Sequence, residues 1–160
     1  MALIGIVLAL PLAAAASDSV YFLVRHAEKA DDGHDPSLSP AGEFRARELA
    51  NLLRDAGIDR VHSSDFIRTR DTAAPIAERL GLVTELYDPG HLPALAERLQ
   101  SSPGRHLVIG HSNTTPHLAE LLGGEPGVPI DEEHEYDRLY VLKRGGDGAV
   151  ITVLLRYGTP

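Results

Sequence analysis

Val20-Tyr21-Phe22-Leu23-Val24-Arg25-His26 and Leu107-Val108-Ile109-Gly110-His111 are two short apolar runs, each closed by a histidine. Continuous apolar runs of this length suit strands buried on both faces, as in a parallel sheet. A third run, Ile58 to His62, gives way to Ser63-Ser64-Asp65-Phe66-Ile67-Arg68-Thr69. If the three strands are parallel neighbours, their carboxyl ends share one edge, which is where open α/β sheets take ligands. Two imidazoles, His26 and His111, and two guanidiniums, Arg25 and Arg68, then converge. Fixed cations beside a nitrogen nucleophile suit a phosphoryl group.

Working outward, strands alternate with helical patterns over residues 20–122, which implies βαβ units and a mainly parallel sheet with helices on both faces. One helix starts cleanly, with Ser39 as its cap and Pro40 in the first position, and Gly57 is expected to stop it. Leu49, Leu52, Leu53 and Ala56 form its apolar stripe. A second helix is expected from Thr69 to Leu80, kinked or starting late because Pro75 lacks an N–H. A strand over Leu82 to Leu86, a helix over Leu92 to Leu99 and a helix over Pro116 to Leu122 follow. The strands 138–144 and 149–156 flank Gly145-Gly146-Asp147-Gly148 and read as a hairpin. The architecture predicted is a three-layer α/β/α sandwich.

The chain has 160 residues, 43% hydrophobic and 24% charged, which fits one soluble globular domain over residues 17–160. Its net charge of −8 argues against nucleic acid as a partner. A small or locally presented phosphate suits an acidic protein better than a polyanion, since clustered arginines still attract one anion. The absence of cysteine excludes disulfides, thiolate metal sites and a cysteine nucleophile.

Leu3 to Leu12 is almost wholly apolar and Ala13 to Ala16 is a run of small residues. Residues 1–16 are therefore expected to be a signal peptide cleaved near Ala16, sending the protein to the periplasm or outside the cell, although no Lys or Arg precedes the apolar run. That run falls short of the about 20 residues of a membrane span, so no stable span is expected.

Each candidate residue has a plainer reading as well. A lone strand-end histidine is more often structural than catalytic, but small Ala27 and polar Glu28-Lys29 put His26 at a cleft mouth. Arg68 is either a solvated helix residue or, in the first turn of a helix, a partner of the free N–H groups there in binding an anion. Gly110 lets the chain turn sharply before His111, Ser112 and Asn113. Gly110-His111-Ser112-Asn113-Thr114 approximates the Gly-x-Ser-x-Gly elbow of serine hydrolases, but Thr114 breaks it. Eight histidines show no His-Glu-x-x-His spacing, so no metal is expected. Asp31 to Asp35 and Asp131 to Glu135 read as solvated acidic loops that rim the site at most.

Four stretches in order, Leu23-Val24-Arg25-His26-Ala27-Glu28-Lys29, Leu38-Ser39-Pro40-Ala41-Gly42, Ser63 to Ala73 and Gly110-His111-Ser112-Asn113, resemble the histidine phosphatase superfamily, branch 1, with its phosphoglycerate-mutase-like fold. The family usually has Gly after Arg-His, where this chain has Ala27, a change that matters only if the turn needs positive φ. The resemblance implies His26 as the nucleophile that becomes phosphohistidine. Arg25, Arg68 and His111 are implied to hold the phosphoryl oxygens, with Ser112 and Asn113 lining the substrate site and no cofactor. The acid phosphatase and phytase branch is disfavoured, because Ser112 stands where that branch has an acid.

The proton donor to the leaving group stays open between Asp88 and Glu28, or a leaving group that needs neither. The expected substrate is a phosphorylated small molecule or a phosphoprotein, phosphohistidine included. Phosphomutase transfer and a non-catalytic phosphate-binding module are the alternatives. Hydrolysis is favoured over mutase chemistry, because a chain of this size has little material for a closing lid.

Overall fold

The computed structural model describes residues 18–158, so the signal-peptide expectation for residues 1–16 lies outside the described residues. Ten elements follow in order: β1 (Ser19–Arg25), α1 (Pro40–Leu52), β2 (Arg60–Ser64), α2 (Ile67–Leu80), β3 (Thr84–Tyr87), α3 (Leu92–Gln100), β4 (Arg105–Gly110), α4 (Thr114–Leu121), β5 (Arg138–Arg144) and β6 (Val150–Arg156). The six strands form one sheet in the order β3-β2-β4-β1-β5-β6. The first four are parallel, and β5 and β6 close the sheet as an antiparallel hairpin.

The period of two in β1 builds both cores. Tyr21 and Leu23 point to one face and pack with Leu95 and Leu99 of α3 and Leu118 of α4. Phe22 and Val24 point to the other and pack with Leu49 of α1 and Ile76 of α2. Burial on both faces of β1 and β4, at the centre of the sheet, explains why those two stretches run apolar without alternation. The three-layer expectation holds. The outer strand β6 leaves Ile151, Val153 and Leu155 largely exposed.

Several boundaries differ from expectation. Helix α1 is capped as expected, the Gly42 N–H donating to Ser39 Oγ at 3.1 Å, but it stops at Leu52 rather than at Gly57. Gly57 instead takes φ +68° in the turn that leads to β2. Helix α2 starts early, at Ile67, and runs through Pro75. Its first N–H is satisfied from outside the helix, by Asp35 Oδ1 at 2.8 Å from the Ile67 nitrogen. β2 and β3 each lie about two residues later than expected, and α4 starts at Thr114, two residues early.

β4 lies between β1 and β2, with Arg25 paired to Gly110 across the first junction. The sheet therefore places the chain just after β1, β4 and β2 on one edge. Among the described residues no helix is long and apolar enough to cross a membrane.

Candidate active site

His26 leaves β1 with its N–H donated to the Gly110 carbonyl at 2.9 Å, which ties the ends of β1 and β4 together. Its ring is almost fully buried, with Nδ1 2.8 Å from the Ala27 carbonyl. A carbonyl only accepts, so Nδ1 carries the proton and Nε2 keeps a lone pair. Burial, then the charges of Arg25, His111 and Arg68, pulls the His26 pKa down to about 3 against the Ala27 hydrogen bond. The imidazole is neutral at physiological pH. Ala27 is fully buried, and every described residue with positive φ is a glycine, so the missing Gly of the motif strains nothing here.

His111 meets His26 edge to face, with ring centroids 5.4 Å apart. Its Nε2 lies 2.9 Å from Ser64 Oγ, which in turn donates to Thr69 Oγ1 at 3.1 Å. Thr69 donates onward to backbone carbonyls, so this hydroxyl chain points toward Nε2 as its first donor. Nδ1 faces Arg68 Nη2 at 3.5 Å. Burial, then Arg68 and Arg25, lowers the His111 pKa to about 4. Ser64 and Thr69 lie inside the stretch Ser63 to Ala73 singled out in the sequence, but that reading gave neither of them a role.

Arg68 stacks over Phe66 with its guanidinium carbon 4.5 Å from the ring centroid. Its Nε and Nη1 are buried without a hydrogen-bond partner, and Asp35 Oδ1 stands 3.6 Å from Nη1. Unspent buried donors are costly unless an anion takes them. Arg68, His26, His111, Ser112 and Asn113 line one pocket of about 300 Å³ together with Lys29, Gly33 and Glu132. The structure thus brings together five of the residues singled out in the sequence.

Three others are placed differently. Arg25 does not line the pocket; its Nη1 and Nη2 donate to the carbonyls of Asp131, Glu135 and Glu132 at 3.1, 2.9 and 2.6 Å. Only Nε is buried without a partner, so Arg25 acts first as a clamp on the loop before β5. Its guanidinium also stacks over Tyr136 at 4.0 Å.

Asp88 is turned away: it accepts from the Gly90 N–H and the His91 ring and lines a separate pocket beyond β3 at the sheet edge. Glu28 is held in a two-pronged ion pair by Arg45, with Nε 2.9 and 3.0 Å from its two oxygens. Neither carboxylate lines the histidine pocket. The carboxylate residue that does is Glu132, from the acidic stretch read as solvated surface, and Lys29 adds a cation.

Among the described residues no group of acidic, histidine or cysteine side chains is arranged to hold a metal ion. A neutral imidazole with a free Nε2, beside a guanidinium with unspent N–H groups, is equipped for nucleophilic attack on a bound phosphoryl group.

A family model described as histidine phosphatase superfamily (branch 1) matches residues 21–98, which include His26 and Arg68. A probable phosphoglycerate mutase GpmB from Serratia proteamaculans is 37% identical over 92 residues, 51% of this chain and 42% of that protein. The chain thus matches less than half the length of this curated relative. Among solved structures, protein histidine phosphatase SixA complexed with tungstate superposes with a TM-score of 0.67 at 22% identity, covering 86% of this chain and 96% of the other. A mycobacterial glucosyl-3-phosphoglycerate phosphatase gives 0.67 at 15% identity, with coverage of 89% and 100%. These two show the shared fold. With Arg25, His26 and Arg68 inside the matched stretch and this fold around them, the chain belongs to branch 1 of the histidine phosphatase superfamily.

Proposed function

We propose that this protein is a phosphatase that hydrolyses phosphomonoesters, or phosphohistidine on a protein, through a phosphohistidine at His26. The observation that carries the reading is the tautomer of His26: Nδ1 is spent on the Ala27 carbonyl and Nε2 is free, inside the pocket that Arg68 lines. Nε2 attacks phosphorus, forming the N–P bond as the bond to the leaving oxygen, or to the leaving imidazole nitrogen of a phosphohistidine, breaks. Arg68 and Lys29 take up the charge on the phosphoryl oxygens. A proton from Glu132 goes to the leaving oxygen or nitrogen, and the same carboxylate then accepts a proton from water as it attacks phosphorus. The N–P bond breaks and its electron pair returns to Nε2.

Lys29 and Glu132 enter this scheme only because they line the pocket. Hydrolysis is favoured over mutase transfer because the pocket shares Ser112, Asn113 and Glu132 with a neighbouring groove, which gives water a route in. The apolar run before Ser17 supports export to the periplasm or medium as part of the same reading. Rapid quench during turnover tests the chemistry. Acid-labile, base-stable phosphate on His26 is expected, and its absence with an active preparation overturns the mechanism.

A further inference from the structure

The phosphate pocket does not end at Ser112, Asn113 and Glu132. Those three residues also line a groove of about 440 Å³ that runs between α4 and the segment before β5, within the size range of small-molecule sites. Its walls are mostly apolar, from Pro116, Pro126, Pro129 and Ile130. Its charged residues are Glu120 and Glu132, and His117 is the remaining titratable group; no Lys or Arg lines it. The two cations of the region, Lys29 and Arg68, are confined to the phosphate pocket. The cations and the apolar walls are therefore separated in space.

The groove wall is also firmly held. Arg138 donates to the Val128 and Pro129 carbonyls at 2.6 and 3.2 Å, and Tyr140 Oη donates to the Pro126 carbonyl at 2.8 Å. Arg25 holds the next stretch through three carbonyls. A wall fastened through buried donors presents its apolar residues in place before any ligand arrives, which lowers the cost of binding.

We propose that this groove receives the leaving group of the substrate and selects phosphates of uncharged aromatic or alkyl alcohols over phosphates that carry a carboxylate. The proposal rests on the phosphatase reading of the pocket. An apolar group displaces water from Ile130 and the prolines with a gain proportional to the area covered. A carboxylate there meets two glutamates and no cation, so its desolvation goes uncompensated.

Binding of phosphonates to the wild-type protein tests the groove without turnover. Calorimetry compares benzylphosphonate, 2-naphthylmethylphosphonate and 3-phosphonopropionate. The naphthyl compound is expected to bind about ten-fold tighter than the benzyl one, for on the order of 50 Å² of extra apolar surface covered. The carboxylate is expected to bind weakest. Glu120→Lys, at an exposed position, is expected to improve carboxylate binding several-fold, and by clearly more than it improves binding of benzylphosphonate. Equal binding of all three, tightest binding of the carboxylate, or no binding of any overturns the proposal. Loss of the phosphohistidine in the quench experiment with this ranking intact sinks the catalytic reading alone.

Discussion

Acidification from pH 7.5 to 5.0 should remove a large part of the stability of this fold, through histidines that are buried neutral. His62, almost fully buried on β2, places Nε2 3.0 Å from His106 Nδ1, while His106 Nε2 is 2.8 Å from the Ser102 carbonyl. His106 therefore donates from Nε2 and accepts at Nδ1, and His62 donates to it. Burial, then His106, Arg98 and Arg60, lowers the His62 pKa to about 3, and Glu85 at 3.6 Å does not reverse this. His26 has the same low value for the reasons given above.

Both folded pKa values lie below the ordinary histidine value of about 6.5 in the unfolded chain, so between those limits the unfolded chain binds more protons. The stabilisation is complete above about pH 6.5 and is lost as pH falls from there toward 3. At pH 5.0 His62 and His26 each cost about 2 kcal/mol, and His111, with its pKa at about 4, costs a similar amount, so the three together cost about 6 kcal/mol against a usual total of about 5–15 kcal/mol. Urea unfolding followed by circular dichroism reads this directly. With a slope of about 2 kcal/mol per molar, the midpoint should fall by about 3 M between the two pH values. Phosphate-free buffer is needed, since an anion bound only by the folded state would mask the loss. His62→Gln, which keeps a donor toward His106, should lower stability at pH 7.5 yet remove about a third of the pH dependence. A midpoint constant from pH 7.5 to 5.0 refutes the reasoning.

Further outcomes follow from contacts around the site. A Cβ at Gly42 would lie 2.3 Å from the Glu28 carbonyl oxygen, with other Glu28 backbone atoms near 3 Å, so Gly42→Ala should cost about 3 kcal/mol in thermal unfolding and also reduce activity, because Glu28 follows His26 by two residues. Arg68→Met should leave the melting temperature nearly unchanged and lower kcat/KM by about 10²–10³, as for loss of one preorganised donor. Glu28→Gln breaks the ion pair with Arg45 and should lower stability by about 1–2 kcal/mol while the pH profile of kcat keeps its shape. Glu132→Gln should do the reverse: little change in stability, and a fall in kcat that is steep for alkyl phosphates and slight for 4-nitrophenyl phosphate, whose leaving group needs no proton.

The parallel part of the sheet was legible because burial on both faces leaves a direct mark, an unbroken apolar run such as Tyr21 to Val24. The hairpin was legible to within a residue, since its turn residues announce themselves. Gly57 misled because a glycine with positive φ marks a turn without saying which element the turn belongs to. Here it serves the approach to β2, and the helix had already closed through the Leu53 N–H on the Leu49 carbonyl.

The pocket around the two histidines was legible where side chains follow strand ends, as with His26, Arg68, His111, Ser112 and Asn113. The carboxylate was not. Glu132 reaches the pocket because Arg25 grips backbone carbonyls, and every residue has a carbonyl, so that attachment leaves no pattern to read. Asp88 looked well placed by order along the chain, but β3 is the edge strand on the far side of β2.

Arg25 is joined by one peptide bond to His26, yet its guanidinium ends on the loop that carries Glu132. A change in that loop's length or register would therefore be felt at His26, whereas exchange of side chains such as Glu120 would not. Loop grafts from relatives should fail as wholesale transplants and succeed as single substitutions made on an unaltered backbone. New substrate ranges would then arise here by repainting one wall while its fastenings stay in place.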